Sequence, residues 1–152
     1  MAIVWKSDLD TGINVIDQQH RQIVEFINNL EGANRISDNS KIKEIVDACV
    51  AYTLSHFAFE ESLQEDAGYQ YVKAHKRVHQ LFTRKVAEYQ ERLNRGEDIG
   101  EELHNMLARW LLSHIKHDDA DYVAAVKTNM ISLIEEKETK KETKGWFARF
   151  FK

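Results

Sequence analysis

No proline occurs anywhere in this chain of 152 residues, and only six glycines do. Proline ends a helix because it lacks the backbone donor and its ring clashes with the preceding turn. A chain without it can run in long helices, and one so poor in glycine has little means of making the tight turns of an all-β fold. Glu, Lys, Ala, Leu and Gln, all good helix formers, are plentiful. These features predict an all-α fold, in a chain about the size of one domain with one core.

Apolar periodicity divides that fold into helices. Residues 1 to 15 carry Ile3, Val4, Trp5, Leu9, Ile13 and Val15 without a helical period and read as an extended arm pinned along the core. Ile16, Ile23, Val24, Ile27 and Leu30 predict a first helix, with Gly32, Asn34 and Ser37-Asp38-Asn39 breaking it and Asp38 or Asn39 capping the next. In the second, Ile42, Ile45, Cys49, Tyr52, His56, Phe59 and Leu63 form the expected seam, flanked by Val46, Thr53 and Glu60, and Gly68 suits a left-handed end. The third is expected over Tyr69 to Leu93, and the fourth carries Leu103, Leu107, Trp110, Leu111 and His114. A further helix, opened by Asp118-Asp119-Ala120-Asp121, carries Tyr122, Val126, Met130, Leu133 and Ile134.

Several function classes are disfavoured at once. Net charge is −4, and residues 137–152 alone carry six Lys or Arg and two Glu, so the preceding 136 residues carry −8. An acidic body is a poor match for nucleic-acid phosphates, and no nucleic-acid partner is expected. Cys49 is the one cysteine, which excludes an intramolecular disulfide, and the first ten residues lack the pattern of a secretory signal. No apolar run reaches the roughly 18 residues of a membrane span. The expected state is a soluble cytoplasmic monomer.

The histidines carry the chemistry. His56 and Glu60 are four apart, as are His75 and His79, and residues four apart on a helix share a face, so each pair can chelate. His20 and His114 fall on apolar stripes of their own, and Asp119 follows His114 by five. A single buried histidine is more often a hydrogen-bonded core residue than a ligand. Five of them, with Glu60 on a buried face where an uncompensated charge is expensive, point instead to a pair of transition-metal ions. Five residues span about 140° of a regular helix, so the fourth helix must end or distort between His114 and Asp119 if both reach one metal. Ferritin-like di-iron proteins use four Glu and two Glu-x-x-His motifs, and this chain has no Glu-x-x-His. So few carboxylates stabilise high-valent iron poorly, which favours holding oxygen over cleaving it.

The pattern resembles the hemerythrins, specifically the bacterial hemerythrin-like domains. The resemblance covers residues 3 to about 133: Val4-Trp5, the stretch from Gly12 through Asp17-Gln18-Gln19 to His20, His56-x-x-x-Glu60, His75-x-x-x-His79, and His114-Ile115-x-x-x-Asp119. It implies an antiparallel up-down-up-down four-helix bundle, here with an N-terminal arm and an additional C-terminal helix, enclosing two non-haem Fe ions joined by an oxo or hydroxo bridge. It further implies that His75, His79 and His114 hold one iron, His20 and His56 the other, and that Glu60 and Asp119 bridge both. O2 would then bind at the second iron, which keeps an open position. Such a pocket must be dry, and Phe57, Trp110, Leu111 and Ile115 are the candidates to wall it, with Tyr122 a candidate donor beside the centre. His104 and His117 match no ligand, His117 being expected in solvent. Buried Cys49 is read as a small hydrophobe.

The domain implied is 1–136, followed over 137–152 by a charged linker and an amphipathic tail. In that tail Trp146, Phe147, Phe150 and Phe151 would share one side of a helix, fit for a membrane surface, a partner groove or an apolar patch of the body itself. The function implied is reversible O2 binding for transport, storage or delivery by a carrier that is not an enzyme. Oxygen or redox sensing, and a peroxidase or iron-oxidising activity at the same centre, are the rival readings.

Overall fold

The computed structural model describes the backbone of residues 2–140 and the side chains of residues 2–130 other than Asp118. Every regular element among the described residues is helical. Four long helices, α1 (Asn14–Arg35), α2 (Asn39–Asp66), α3 (Val72–Asn94) and α4 (Gly100–Ser113), form an antiparallel bundle. A π-helical turn, His114–Asp119, joins α4 to α5 (Ala120–Lys140). α1 packs against α2 and α4, and α2 against α3 and α5. α5 thus runs through residues 137–140; the aromatic tail residues Trp146, Phe147, Phe150 and Phe151 lie outside the described residues.

The arm is pinned as expected, though it is not wholly extended. Residues Ser7–Leu9 make a 3-10 turn and α1 starts at Asn14, because the buried Asp17 carboxylate accepts from Thr11 N, Thr11 Oγ1 and Gly12 N and gathers the chain onto the helix start. Ile3 exchanges two bonds with the Asn28 amide, and the Trp5 indole donates to Asp10 with the Arg21 guanidinium 5.0 Å over its ring.

Where the first helix was expected to break near Gly32, it continues to Arg35. Glycine weakens a helix by only about 1 kcal/mol, and Leu30 and Ala33 bury on either side of it. The stop comes at Ser37, whose φ of 51° is the left-handed cap, with Asp38 N bonded back to Ala33 O. Asp38 then caps α2 through Lys41 N. At the other end of α2, Gly68 takes φ 66° and Tyr69 N reaches back to Gln64 O, which delays α3 to Val72.

The seam of α2 is rotated from the expected one. Val46, Thr53 and Glu60 are buried, while Ile45, Tyr52 and Phe59 are only half-buried. A helix with α1 on one side and α3 on the other buries a wide arc, and its centre falls between those neighbours. Thr53 tolerates the position by donating to Cys49 O. The apolar core is correspondingly in two parts, a large one from Leu9 to Ile115 and a smaller one of Ile13, Ile16, Leu63, Tyr122, Val126 and Met130. In sequence His20 lies between them on α1, and Glu60 on α2.

Candidate metal centre

His20 of α1, His56 and Glu60 of α2, His75 and His79 of α3, and His114 and Asp119 at the two ends of the π turn converge in one buried cluster. Their ligand atoms fall into two groups, each within 4.8 Å internally: His20, His56, Glu60, His114 and Asp119 in one, and Glu60, His75, His79 and His114 in the other. The two (i, i+4) pairs meet on their helix faces as helical spacing requires. The distortion required between His114 and Asp119 is the π turn: its wider winding absorbs one extra residue and brings Asp119 Oδ1 to 3.1 Å from His114 Nε2.

Asp119 divides its oxygens as a bridge would. Oδ2 stands 2.8 Å from His20 Nε2, and Oδ1 stands 3.5 Å from His75 Nε2. Glu60 is disposed differently: Oε1 faces His56, His114 and His79 at 2.8, 3.1 and 3.6 Å, while Oε2 accepts from the Tyr122 hydroxyl at 2.6 Å.

The donor set fits a bound cation. Gln19 Oε1 lies 2.6 Å from His56 Nδ1 and can only accept, so it fixes the proton on Nδ1 and leaves Nε2 a lone pair. That nitrogen sits 2.8 Å from Glu60 Oε1. Such a contact is held by a shared proton or by a bound metal ion. Burial disfavours protonation of two of the imidazoles: it drives His20 well below the usual range with help from His56, and pushes His79 down to about 3, Glu60 opposing only in part. Burial would raise the Glu60 carboxyl, yet His56 and His114 together hold it well below the usual carboxylate range. Neutral imidazole with ionised carboxylate is the ligating state.

The Hemerythrin HHE cation binding domain matches residues 11–126. The chain belongs to the hemerythrin family. It is 51% identical over 150 residues to a bacteriohemerythrin of Pseudomonas aeruginosa strain LESB58, covering 99% of this chain and 95% of that one. It is 47% identical to the bacteriohemerythrin of Stenotrophomonas maltophilia strain R551-3 over the same shares. A wild-type hemerythrin crystal structure superposes with a TM-score of 0.79 at 25% identity, covering 83% of this chain and 98% of that one. Family and donor set together mark a hemerythrin-type protein of the di-iron kind.

In this hemerythrin the expected wall is present around the cluster. Phe57, Leu111, Ile115 and Tyr122 are buried and Trp110 half-buried. Phe57 stacks on His79 with centroids 3.8 Å apart and Trp110 on His114 at 4.6 Å, so two ligand rings are held flat by aromatic faces. The Tyr122 hydroxyl is held protonated by burial first and then by the Glu60 and Asp119 charges, and it stays a donor. His117 is exposed and Cys49 buried, as read; burial pushes the Cys49 thiol up to about 11. His104, absent from the ligand set, is buried well away from it, its Nε2 3.9 Å from Glu31 Oε2. Gln19 was not singled out. Its signal was adjacency to His20, one residue round the helix and so facing α2, which needed the α1–α2 packing to interpret.

Proposed function

We propose that this chain binds O2 reversibly at a non-haem di-iron centre and serves in its transport, storage or delivery. The observation that carries this reading is the buried convergence of His20, His56, His75, His79 and His114 with Glu60 and Asp119 in two overlapping groups. His75, His79 and His114 would hold one iron and His20 and His56 the other, with Glu60 and Asp119 shared. When bound, the iron pair supplies the electrons and the open position that O2 binding needs.

The protein's own part is positioning and exclusion. Gln19 orients His56, Tyr122 fixes the second oxygen of Glu60, and the π turn sets Asp119 opposite His20. Phe57, Leu111 and Ile115, with Trp110 at the rim, exclude water that would otherwise compete for the position and leave oxidised iron. Stopped-flow spectra in air test the reading. A lasting oxygenated species that reverts under vacuum is expected; rapid autoxidation with turnover of added peroxide would assign the centre to an enzyme, and oxidation that alters partner binding to a sensor.

The same proposal takes the body as a cytoplasmic monomer and the tail as a weak membrane anchor through Trp146, Phe147, Phe150 and Phe151. No helix among the described residues is long and apolar enough to cross a membrane. Liposome binding of the full chain should exceed that of a version cut after Lys144, and light scattering should give a single chain's mass.

A further inference from the structure

The outward side of α3 carries apolar residues that no element covers among the described residues. Ala74, Val78 and Leu81 follow one another at helical spacing, and Leu81 is 57% exposed. Val78 and Leu81 open onto a groove of about 550 Å³ between α3 and α4, floored by Phe82, Met106 and Trp110. It is a slot between two helices that can take the side chains of one face of a docked helix, and concave where a bilayer surface would need a protruding face.

The charged residues that line the groove are cations, with Glu88 one turn beyond them on the same side of α3. Lys85 on α3 and Arg109 on α4 are its charged lining residues. Arg77 and Arg84 stand seven apart on the same exposed side of α3, next to Leu81 round the helix. Several other cations pair with carboxylates: Arg21 with Asp10, Arg35 with Glu31, Lys76 with Glu65, Arg95 with Glu97, Lys116 with Asp8. Among the described residues no ion pair links Lys85, Arg109, Arg77 or Arg84 to a carboxylate. Lys85 and Arg109, unpaired among the described residues, give the apolar groove a basic rim on a body whose first 136 residues carry −8.

We propose that this groove receives an acidic amphipathic helix of another protein, its apolar side on Leu81, Phe82 and Trp110 and its carboxylates on Lys85 and Arg109. The chain's own tail, net +4, is repelled by such a rim, and a second copy in two-fold contact would set like charges together. The groove also reaches the centre. Trp110 stacks on Phe82 at 3.7 Å and on His114 at 4.6 Å, so the occupant lies one aromatic ring from a candidate ligand. The docking itself does not depend on the oxygen reading.

The test uses the full chain and a fluorescein-labelled peptide of about 18 residues, with leucines at helical spacing and glutamates elsewhere. Binding is expected, weakening severalfold between about 50 and 500 mM salt. It should fall about tenfold or more in Lys85→Glu/Arg109→Glu, an exposed pair whose change leaves the circular dichroism and the oxygenated spectrum as they were. Leu81→Ser should weaken it as well, and a peptide with lysine in place of glutamate should not bind. Equal binding of both peptides, or insensitivity to both variants, overturns the proposal. So does preferential binding of phosphatidylglycerol vesicles lost in the variants, which gives the face to a membrane, or a concentration-dependent dimer lost in them, which gives it to a second copy.

Discussion

Replacing Gln19 by Leu removes one acceptor and little volume, and the structure fixes what should follow. In the parent protein Gln19 Oε1 holds the His56 proton on Nδ1 at 2.6 Å. Without it the metal-free imidazole can shift its proton to Nε2, where Glu60 Oε1 stands ready at 2.8 Å. The new charged hydrogen bond offsets the lost one, so metal-free stability should change by less than about 1 kcal/mol. A metal at Nε2 must return the proton to Nδ1, which then has no acceptor. Loss of such an outer partner weakens metal binding by about 10–100-fold, or about 1.4–2.7 kcal/mol. Competition of Co(II) between the protein and a chelator, alongside urea unfolding of the metal-free chain, separates these effects. If His20 and His56 hold one ion and the other three histidines the second, only one of two binding constants falls, and Gln19→Glu restores it. Equal loss at both constants would refute the division of ligands; an unchanged affinity would refute the tautomer argument.

Three further outcomes follow from single contacts. Tyr122→Phe deletes the 2.6 Å donor to Glu60 Oε2 in a fully buried position, and urea unfolding of the metal-free chain should show about 2 kcal/mol lost. Ser37→Gly relieves a left-handed backbone at a helix end and should stabilise by about 0.5–1 kcal/mol, raising the thermal midpoint by about 2–4 °C. Burial raises the Cys49 thiol from 9.0 to about 11, so between those pH values the folded chain binds more protons than the unfolded one. Stability should therefore fall as pH rises through that window, by about 2.7 kcal/mol from this group, and comparing Cys49→Ala across the same window isolates that slope.

Which features the sequence made legible follows from what each depends on. Five helices and both (i, i+4) ligand pairs were legible because periodicity and spacing are local. The orientation of α2 was not. Its apolar residues Ile45, Tyr52 and Phe59 and its mixed residues Val46, Thr53 and Glu60 compete for one buried arc, and only the placement of α1 and α3 decides between them. Gln19 was hidden for the same reason, since its role lies in a contact 37 residues away. At the end of α1, Gly32 was outweighed by buried neighbours, and the stop came at Ser37, the first residue of the expected Ser37-Asp38-Asn39 break and an uncommon one for that conformation.

The π turn shows how an apparent misfit in spacing can be the most informative signal. Deleting one residue between His114 and Asp119 would place them four apart on a regular helix, with no distortion needed. The same deletion would turn everything beyond it by about 100° relative to α4. Tyr122, Val126 and Met130, which seal the second core against Ile13, Ile16 and Leu63, would then leave their places, and with them the hydroxyl on Glu60. Burying each such side chain stabilises by about 1.5–3 kcal/mol, more than the strain of one wide turn. The extra residue is therefore kept because two demands meet on one continuous rod: ligands facing the cluster before the turn, and an apolar stripe facing the second core after it. A regular helix meets either demand, and the π turn meets both.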